Sequence, residues 1–218
     1  MTKSADISRR RTEMDTRRRF IIDAARRLIA AEDIEEIAMD GIAAAAGYTR
    51  RTMYAYFKSR DEILMRIFTE DLEARWRVQR TATEGAGTGL GKIAVWGRSV
   101  YAHAKENPHS LRLQIYWDFK GVDRKRIGKE AFAAFESINE ELANGLRTIF
   151  ALGIADGSLR PDLKTDLCIS QYIYSLRAIL NRALSSSYSF ASLEPDDYVE
   201  HFIDLFTRGI RREGGAQP

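Results

Sequence analysis

Apolar residues in this chain recur at helical spacing almost from end to end, and no stretch alternates apolar with polar for long. That pattern predicts an all-α protein of about nine helices. From about Asp15 to Ala31, Phe20, Ile21, Ala24, Ala25, Leu28 and Ile29 form one stripe of a first helix, with Asp15 or Thr16 as its cap. A short second helix carries Met39, Ile42, Ala43 and Ala46 and stops at Gly47. Thr49 is placed to cap a short third helix whose Tyr48, Met53 and Phe57 face inward. Ser59 followed by Glu62 is a capping box opening a fourth helix, which runs to about Arg80.

The remainder is larger and equally helical. Gly85–Gly91 is expected to be a loop, followed by a helix over about 90–106 and a shorter one to about Gly121. A long helix is predicted from about Asp123 to Gly153, with Phe135, Ile138, Leu142, Leu146 and Ile149 on its inner face. After a turn at 156–162, two last helices span about 165–186 and 195–212, and Glu213–Pro218 is expected to be disordered. The division is therefore a flexible basic arm (1–14), a head (15–60) and a body (61–218).

Hydrophobic residues make up 44% of the chain, enough for a core in each part. Residues 1–60 hold 13 Lys and Arg against 9 Asp and Glu, while the rest is close to neutral. A front-loaded basic excess points to an acidic partner for that end alone, against the plainer reading of a solvated tail. The single Cys168 fits a reducing compartment and is read as a buried small side chain. No membrane-spanning run or leader is evident, so a cytoplasmic protein is expected. The histidines 103, 109 and 201 lack metal-ligand spacing, and no catalytic constellation or nucleotide loop emerges. No metal, cofactor or enzymatic activity is expected.

Two short helices joined at a glycine and packed on a third have the layout of a helix-turn-helix. Periodicity leaves Arg50, Arg51, Thr52, Tyr54 and Tyr56 off the buried face of the third helix, with Thr49 at its N-terminus and Lys58 just beyond. Cations and hydroxyls suit phosphates, arginine suits the guanine edge, and a helix N-terminus offers free N–H groups. On residues alone, a small helical subdomain with an ordinary charged face fits equally well.

The run Gly41-Ile-Ala-Ala-Ala-Ala-Gly-Tyr-Thr-Arg-Arg-Thr-Met-Tyr-Ala-Tyr-Phe-Lys-Ser-Arg-Asp-Glu-Ile-Leu64 resembles the TetR-family signature, and Ala25 and Leu28 match its first helix. The specific match covers about residues 17–64, with a weaker likeness in the turn 157–162. Ala38 stands where the family has a capping Ser or Thr, Asp33 where a Gly ends the first helix, and Gly41 where an acidic residue is common. A lost cap costs about 1 kcal/mol. Tyr56 replaces a frequent His and Arg60 a frequent Lys, both keeping a phosphate-competent group.

The resemblance implies that Arg50, Arg51 and Thr52 reach base edges while Thr49, Tyr54, Tyr56 and Lys58 hold phosphates. Arg9, Arg10, Arg11, Arg17, Arg18 and Arg19 form a basic arm expected to add backbone or minor-groove contacts. It further implies a homodimer on a palindromic duplex operator, with Tyr172, Leu176, Ile179, Ala183, Phe202, Phe206 and Ile210 at a four-helix interface. An effector pocket is implied among the aromatic-rich body helices, with Trp96, Tyr101, Trp117, Phe135 and Tyr174 as walls. His103, Gln114, Arg177 and Asn181 are its candidate polar anchors. The expected function is a ligand-responsive repressor released by a small hydrophobic or aromatic molecule. The rival readings are an architectural DNA-binding protein without a sensed ligand and a helical enzyme.

Overall fold

The computed structural model describes residues 2–184 and 194–213; of residues 2–7, 10 and 11 only the backbone is described. Among the described residues there are nine α-helices and no strand. They are α1 (Thr2–Ala31), α2 (Met39–Ala46), α3 (Arg50–Tyr54), α4 (Arg60–Glu84), α5 (Gly89–Glu106), α6 (Pro108–Lys120), α7 (Lys129–Ala155), α8 (Thr165–Leu184) and α9 (Pro195–Ile210). A 3-10 turn, Arg124–Arg126, precedes α7 where the long helix was expected to begin, because Asp123 caps the turn by accepting from Lys125 N–H. The expectations for Ser185, Ser186 and the tail beyond Glu213 lie outside the described residues.

The chain forms two compact units. The first gathers residues up to Asp71 together with Arg112–Glu136, so the head expected at 15–60 lies wholly within it. Its core joins Ile21, Ala24, Ala25 and Ile29 of α1 to Ile42 and Ala43 of α2, Met53 of α3, Phe57, and Ile63, Leu64, Met65, Ile67 and Phe68 of α4. Arg26 pins α1 to α4 through Asp71 (2.6 Å) and Glu70 (2.8 Å). The missing glycine after α1 is offset by Arg112 of α6, whose guanidinium donates to the carbonyls of Ile29 and Ala30 (3.3 Å) left open at that helix end.

α1 corrects the expected boundary. It starts at Thr2, not at Asp15, and the segment read as a flexible arm is helical. Nothing in it breaks a helix: Arg9 pairs with Glu13 one turn on (3.2 Å), and Thr12 and Thr16 return their hydroxyls to Ser8 and Thr12 carbonyls. Phe20, expected in the stripe, is 59% exposed. At 100° per residue it lies about 140° from the centre of the Ile21–Ala25–Ile29 face.

The second unit holds Leu72–Leu111 and the described residues from Ser137 on. The glycine stretch is shorter as a loop than expected, for Gly89–Gly91 open α5. Thr88 caps that helix by accepting from Gly91 N–H (3.1 Å), while Asp156 accepts from Gly89 N–H (2.8 Å) and Ser158 from Leu90 N–H (3.1 Å). The turn after α7 therefore satisfies three of the open donors of α5 together with Thr88. A Cβ at Gly89 would stand 2.2 Å from Gly153 Cα, so the two helices meet there backbone to backbone. Cys168 is half-buried rather than buried, and its thiol is pushed up by that burial.

Candidate nucleic-acid interface

α2 stops because Gly47 adopts φ 71°, a left-handed conformation that other residues rarely take. Its N–H donates to Ala44 O (3.1 Å) and that of Tyr48 to Ala43 O (2.9 Å), a Schellman closure that turns the chain sharply. Thr49, extended at φ −79° and ψ 153°, then accepts from Thr52 N–H (3.2 Å), and the two hydroxyls meet at 2.9 Å. α3 has five residues, too few to be stable alone. Met53 and Phe57, both fully buried, anchor it in the core of the head, where it packs on α2. Ala38 occupies the cap position of α2 in extended geometry without a side-chain cap bond.

With one face anchored, the other is presented. Arg50, Arg51 and Lys58 are exposed, Tyr54 is 49% exposed, and Thr52 and Tyr56 are half-buried. The two arginines differ. Arg50 pairs with Asp40 of α2 (2.9 Å) and lies over the Tyr54 ring, and the Tyr54 hydroxyl followed by Asp40 raises its pKa. Arg51 makes no hydrogen bond or ion pair among the described residues. Arg17 of α1 donates to the Tyr56 hydroxyl (3.1 Å), which holds α1 to the chain just after α3. Arg18 is half-buried beside Asp15 (3.8 Å).

Ser59 caps α4 as expected, accepting from Glu62 N–H (3.2 Å), but the Glu62 carboxylate reaches Lys58 N–H (2.8 Å) rather than that of Ser59. Arg60 is a correction. Its guanidinium turns inward, donating to Ile34 O and to Tyr116 OH (3.3 Å), so it does not serve a phosphate.

The proposed effector residues fall in both units. In the second, Trp96 and Arg177 share the walls of one cavity of about 20 Å³ with Arg75, Val100, Leu142 and Leu176. Tyr101, His103, Tyr174 and Asn181 are not among its walls. The Tyr101 hydroxyl instead donates to Asp196 (2.5 Å), and burial followed by that bond pushes its pKa up to about 12. Tyr174 is exposed beneath Arg177, and Asn181 is exposed. In the first unit, Gln114 and Trp117 are buried, with Gln114 donating to Asp118 (3.2 Å), and Phe135 packs on Phe68. Sequence reasoning missed Arg75, a cation on the apolar face of α4 between Leu72 and Trp76, and that break in the stripe was its signal. Trp96 Nε1 and both amide atoms of buried Gln79 have no hydrogen-bond partner among the described residues.

Of the interface candidates, Tyr172, Leu176 and Ile210 are buried inside this chain and have no surface to offer a second copy. Tyr172 stacks on Phe206 (4.3 Å) and donates to Ile93 O (3.1 Å), filling the space where α8 and α9 meet α5. Ile179, Ala183, Phe202 and Phe206 are half-buried. Leu167, Tyr174 and Leu205 are large apolar residues exposed on α8 and α9 that the periodicity did not single out. Among the described residues no group of acidic, His or Cys side chains is set to hold a metal, and no helix is long and apolar enough to cross a membrane.

Comparison with known proteins finds likeness over the head and in the fold. Residues 21–67 match the family model described as bacterial regulatory proteins, tetR family. An uncharacterized HTH-type transcriptional regulator of Mycobacterium tuberculosis is 47% identical over 57 residues, which cover 26% of this chain and 27% of that one. The match thus spans about a quarter of that relative's length. The HTH-type transcriptional repressor KstR2 of Mycolicibacterium smegmatis is 26% identical over 153 residues, 70% of this chain and 72% of its own. The transcriptional regulator FadR of Bacillus subtilis, solved in complex with stearoyl-CoA, shares the fold with a TM-score of 0.68 at 19% identity, covering 88% of this chain and 98% of that one. The matched segment of the head is thus similar to the tetR family of bacterial regulatory proteins, and the chain shares the fold of the solved regulators.

Proposed function

We propose that the chain is a homodimeric transcription regulator that docks α3 in the major groove of a palindromic duplex operator and is released by a small effector. The observation that carries this is the presentation of Arg50 and Arg51 from a helix rigidly seated by Met53 and Phe57 and capped by Thr49. Arg50, Arg51 and Thr52 read base edges; Thr49, Tyr54, Tyr56, Lys58, Arg17 and Arg18 hold phosphates. Residues 15–60 serve as the reading head and 61–218 as the sensing and dimerising body, working in the cytoplasm where the duplex is.

The name repressor for KstR2 and the stearoyl-CoA bound to FadR support repression relieved by a largely apolar effector. The cavity between Arg75, Trp96 and Arg177 adds chemical detail, since its polar walls are donors and the remainder are apolar. It favours an apolar molecule bearing an acceptor or anionic group. At about 20 Å³ it holds one water. An effector therefore has to displace Leu142, Leu176 or Trp96, and that displacement is the differential on which release depends. Selection of bound duplexes from a random pool tests the reading: a palindromic site, bound by the dimer and weakened by an apolar ligand, is the expected result. Binding without sequence preference would favour an architectural role instead.

A further inference from the structure

The segment joining α6 to α7 is basic: residues 120–129 contain five Lys and Arg against the single acidic Asp123. It belongs to the same compact unit as the head and is fastened to the start of α4 at three points. The Ser59 hydroxyl donates to Arg126 O (2.5 Å), and the Arg126 guanidinium meets the buried Asp61 carboxylate (3.1 Å). At Gly128 an added Cβ would stand 2.9 Å from Glu62 Oε1, so the backbone there lies directly against that carboxylate. The same Glu62 side chain accepts from Lys58 N–H (2.8 Å). The basic turn is therefore docked beside Lys58, just beyond α3.

Only part of this charge is met inside the chain. Asp61 takes Lys120 (3.7 Å) as well as Arg126, and Arg124 pairs with Glu136 (2.6 Å) while lying over the Phe132 ring. Lys125 and Lys129 are exposed, and their ammonium groups make no hydrogen bond or ion pair among the described residues. Lys129 moreover opens α7, where the helix dipole disfavours a cation. The backbone under Lys125 is fixed nonetheless, because its N–H donates to the capping Asp123 (2.9 Å).

We propose that this turn is a second phosphate-binding surface, on which Lys125 and Lys129 hold the phosphodiester backbone of the duplex next to the phosphate held by Lys58. The proposal rests on α3 reading the duplex, and it extends the contact to a segment outside the helix-turn-helix. Arg124 and Arg126, held by Glu136 and Asp61, position the turn, and the two lysines make the contact. Three exposed ammonium groups, those of Lys58, Lys125 and Lys129, suit a repeating anion better than a single one. Point charges on flexible stems bind phosphate without distinguishing bases, so the surface adds affinity and no sequence preference.

The test uses the full chain, the duplex recovered by selection and a scrambled duplex of the same composition, each titrated over a series of salt concentrations. Lys125→Gln with Lys129→Gln should lower the salt slope by about 1.8 and weaken both duplexes by the same factor. Lys125→Arg with Lys129→Arg keeps the charges and should bind like wild type. Lys164→Gln, at an exposed lysine of the second unit, controls for net charge and should leave the slope unchanged. The thermal transition should persist in all of them, since neither lysine of the turn has a partner to lose. An unchanged slope in the double Gln variant overturns the contact. So does an equal loss per charge from Lys164→Gln, which would reduce the effect to net charge, or a loss confined to the selected duplex. A wild type that binds no duplex at all overturns the proposed function instead, so the two failures are distinguishable.

Discussion

Asp40, in the first turn of α2, holds Arg50 of α3 by an ion pair of 2.9 Å, whereas the neighbouring Arg51 is unengaged among the described residues. The paired arginines are therefore inequivalent before any duplex arrives. Arg50 is oriented and partly neutralised, whereas Arg51 has no such restraint among the described residues.

Asp40→Asn removes the tether and a negative charge from the face proposed to meet phosphate. Affinity for scrambled duplex should rise several-fold, because one repulsion is lost. Affinity for the selected site should rise less, because Arg50 is no longer held in position. Titrations of both duplexes at one salt concentration report the ratio, and an unchanged ratio would show that Asp40 does not orient Arg50.

The caps of the head are unequal, and both directions are testable. Thr49→Ala removes the acceptor for Thr52 N–H and should destabilise the chain by about 1 kcal/mol. Ala38→Ser installs an acceptor where the backbone is already extended and should stabilise it by about 0.5–1 kcal/mol. Urea unfolding measures each, and a destabilising Ala38→Ser would mean that the α2 terminus has no room for a cap.

Asp156 ties the start of α5 to the turn after α7. Burial opposes its ionisation, but bonds from Ser158 and from the Gly89 N–H outweigh it, and the carboxyl titrates below its usual value. A depressed folded pKa contributes stability that is present above the unfolded value, near 4, and is lost as pH falls through the folded one. Asp156→Asn should flatten the acid limb of stability against pH below about 4, as read by thermal unfolding. An acid limb identical to wild type would remove Asp156 from the account.

Leu205 is 55% exposed on α9, so changing it leaves the chain's own core intact. If α8 and α9 pair with a second copy, Leu205→Glu should weaken the dimer by about 10–100-fold while the melting transition of the helices persists. Sedimentation over a concentration series gives the answer. A wild-type chain that is monomeric at micromolar concentration would contradict the dimer directly.

What the sequence disclosed follows from where the determining chemistry lies. The α2–α3 turn was legible because Gly47 and Thr49 act on their immediate neighbours, and Met53 and Phe57 fell inward as their spacing required. The N-terminal part of α1 was not, since periodicity reports a buried face and none of the described side chains there is buried. Tyr172 and Arg60 illustrate the other gap. Both sit at positions whose spacing permits an outward role, and both turn inward because Ile93 in one case and Ile34 and Tyr116 in the other offer partners far along the chain. Likewise, no local signal joins 112–136 to the head; that association arises from tertiary packing alone.

The central claim is that α3 reads sequence through its two arginines. Its most direct measurement is the affinity of the Arg50→Ala, Arg51→Ala chain for the selected duplex and for a scrambled one. Each lost base contact is expected to remove about 1–3 kcal/mol of discrimination, so the ratio of the two affinities should collapse toward one while the thermal transition is retained. A double variant that still prefers the selected site as strongly as wild type would contradict the account.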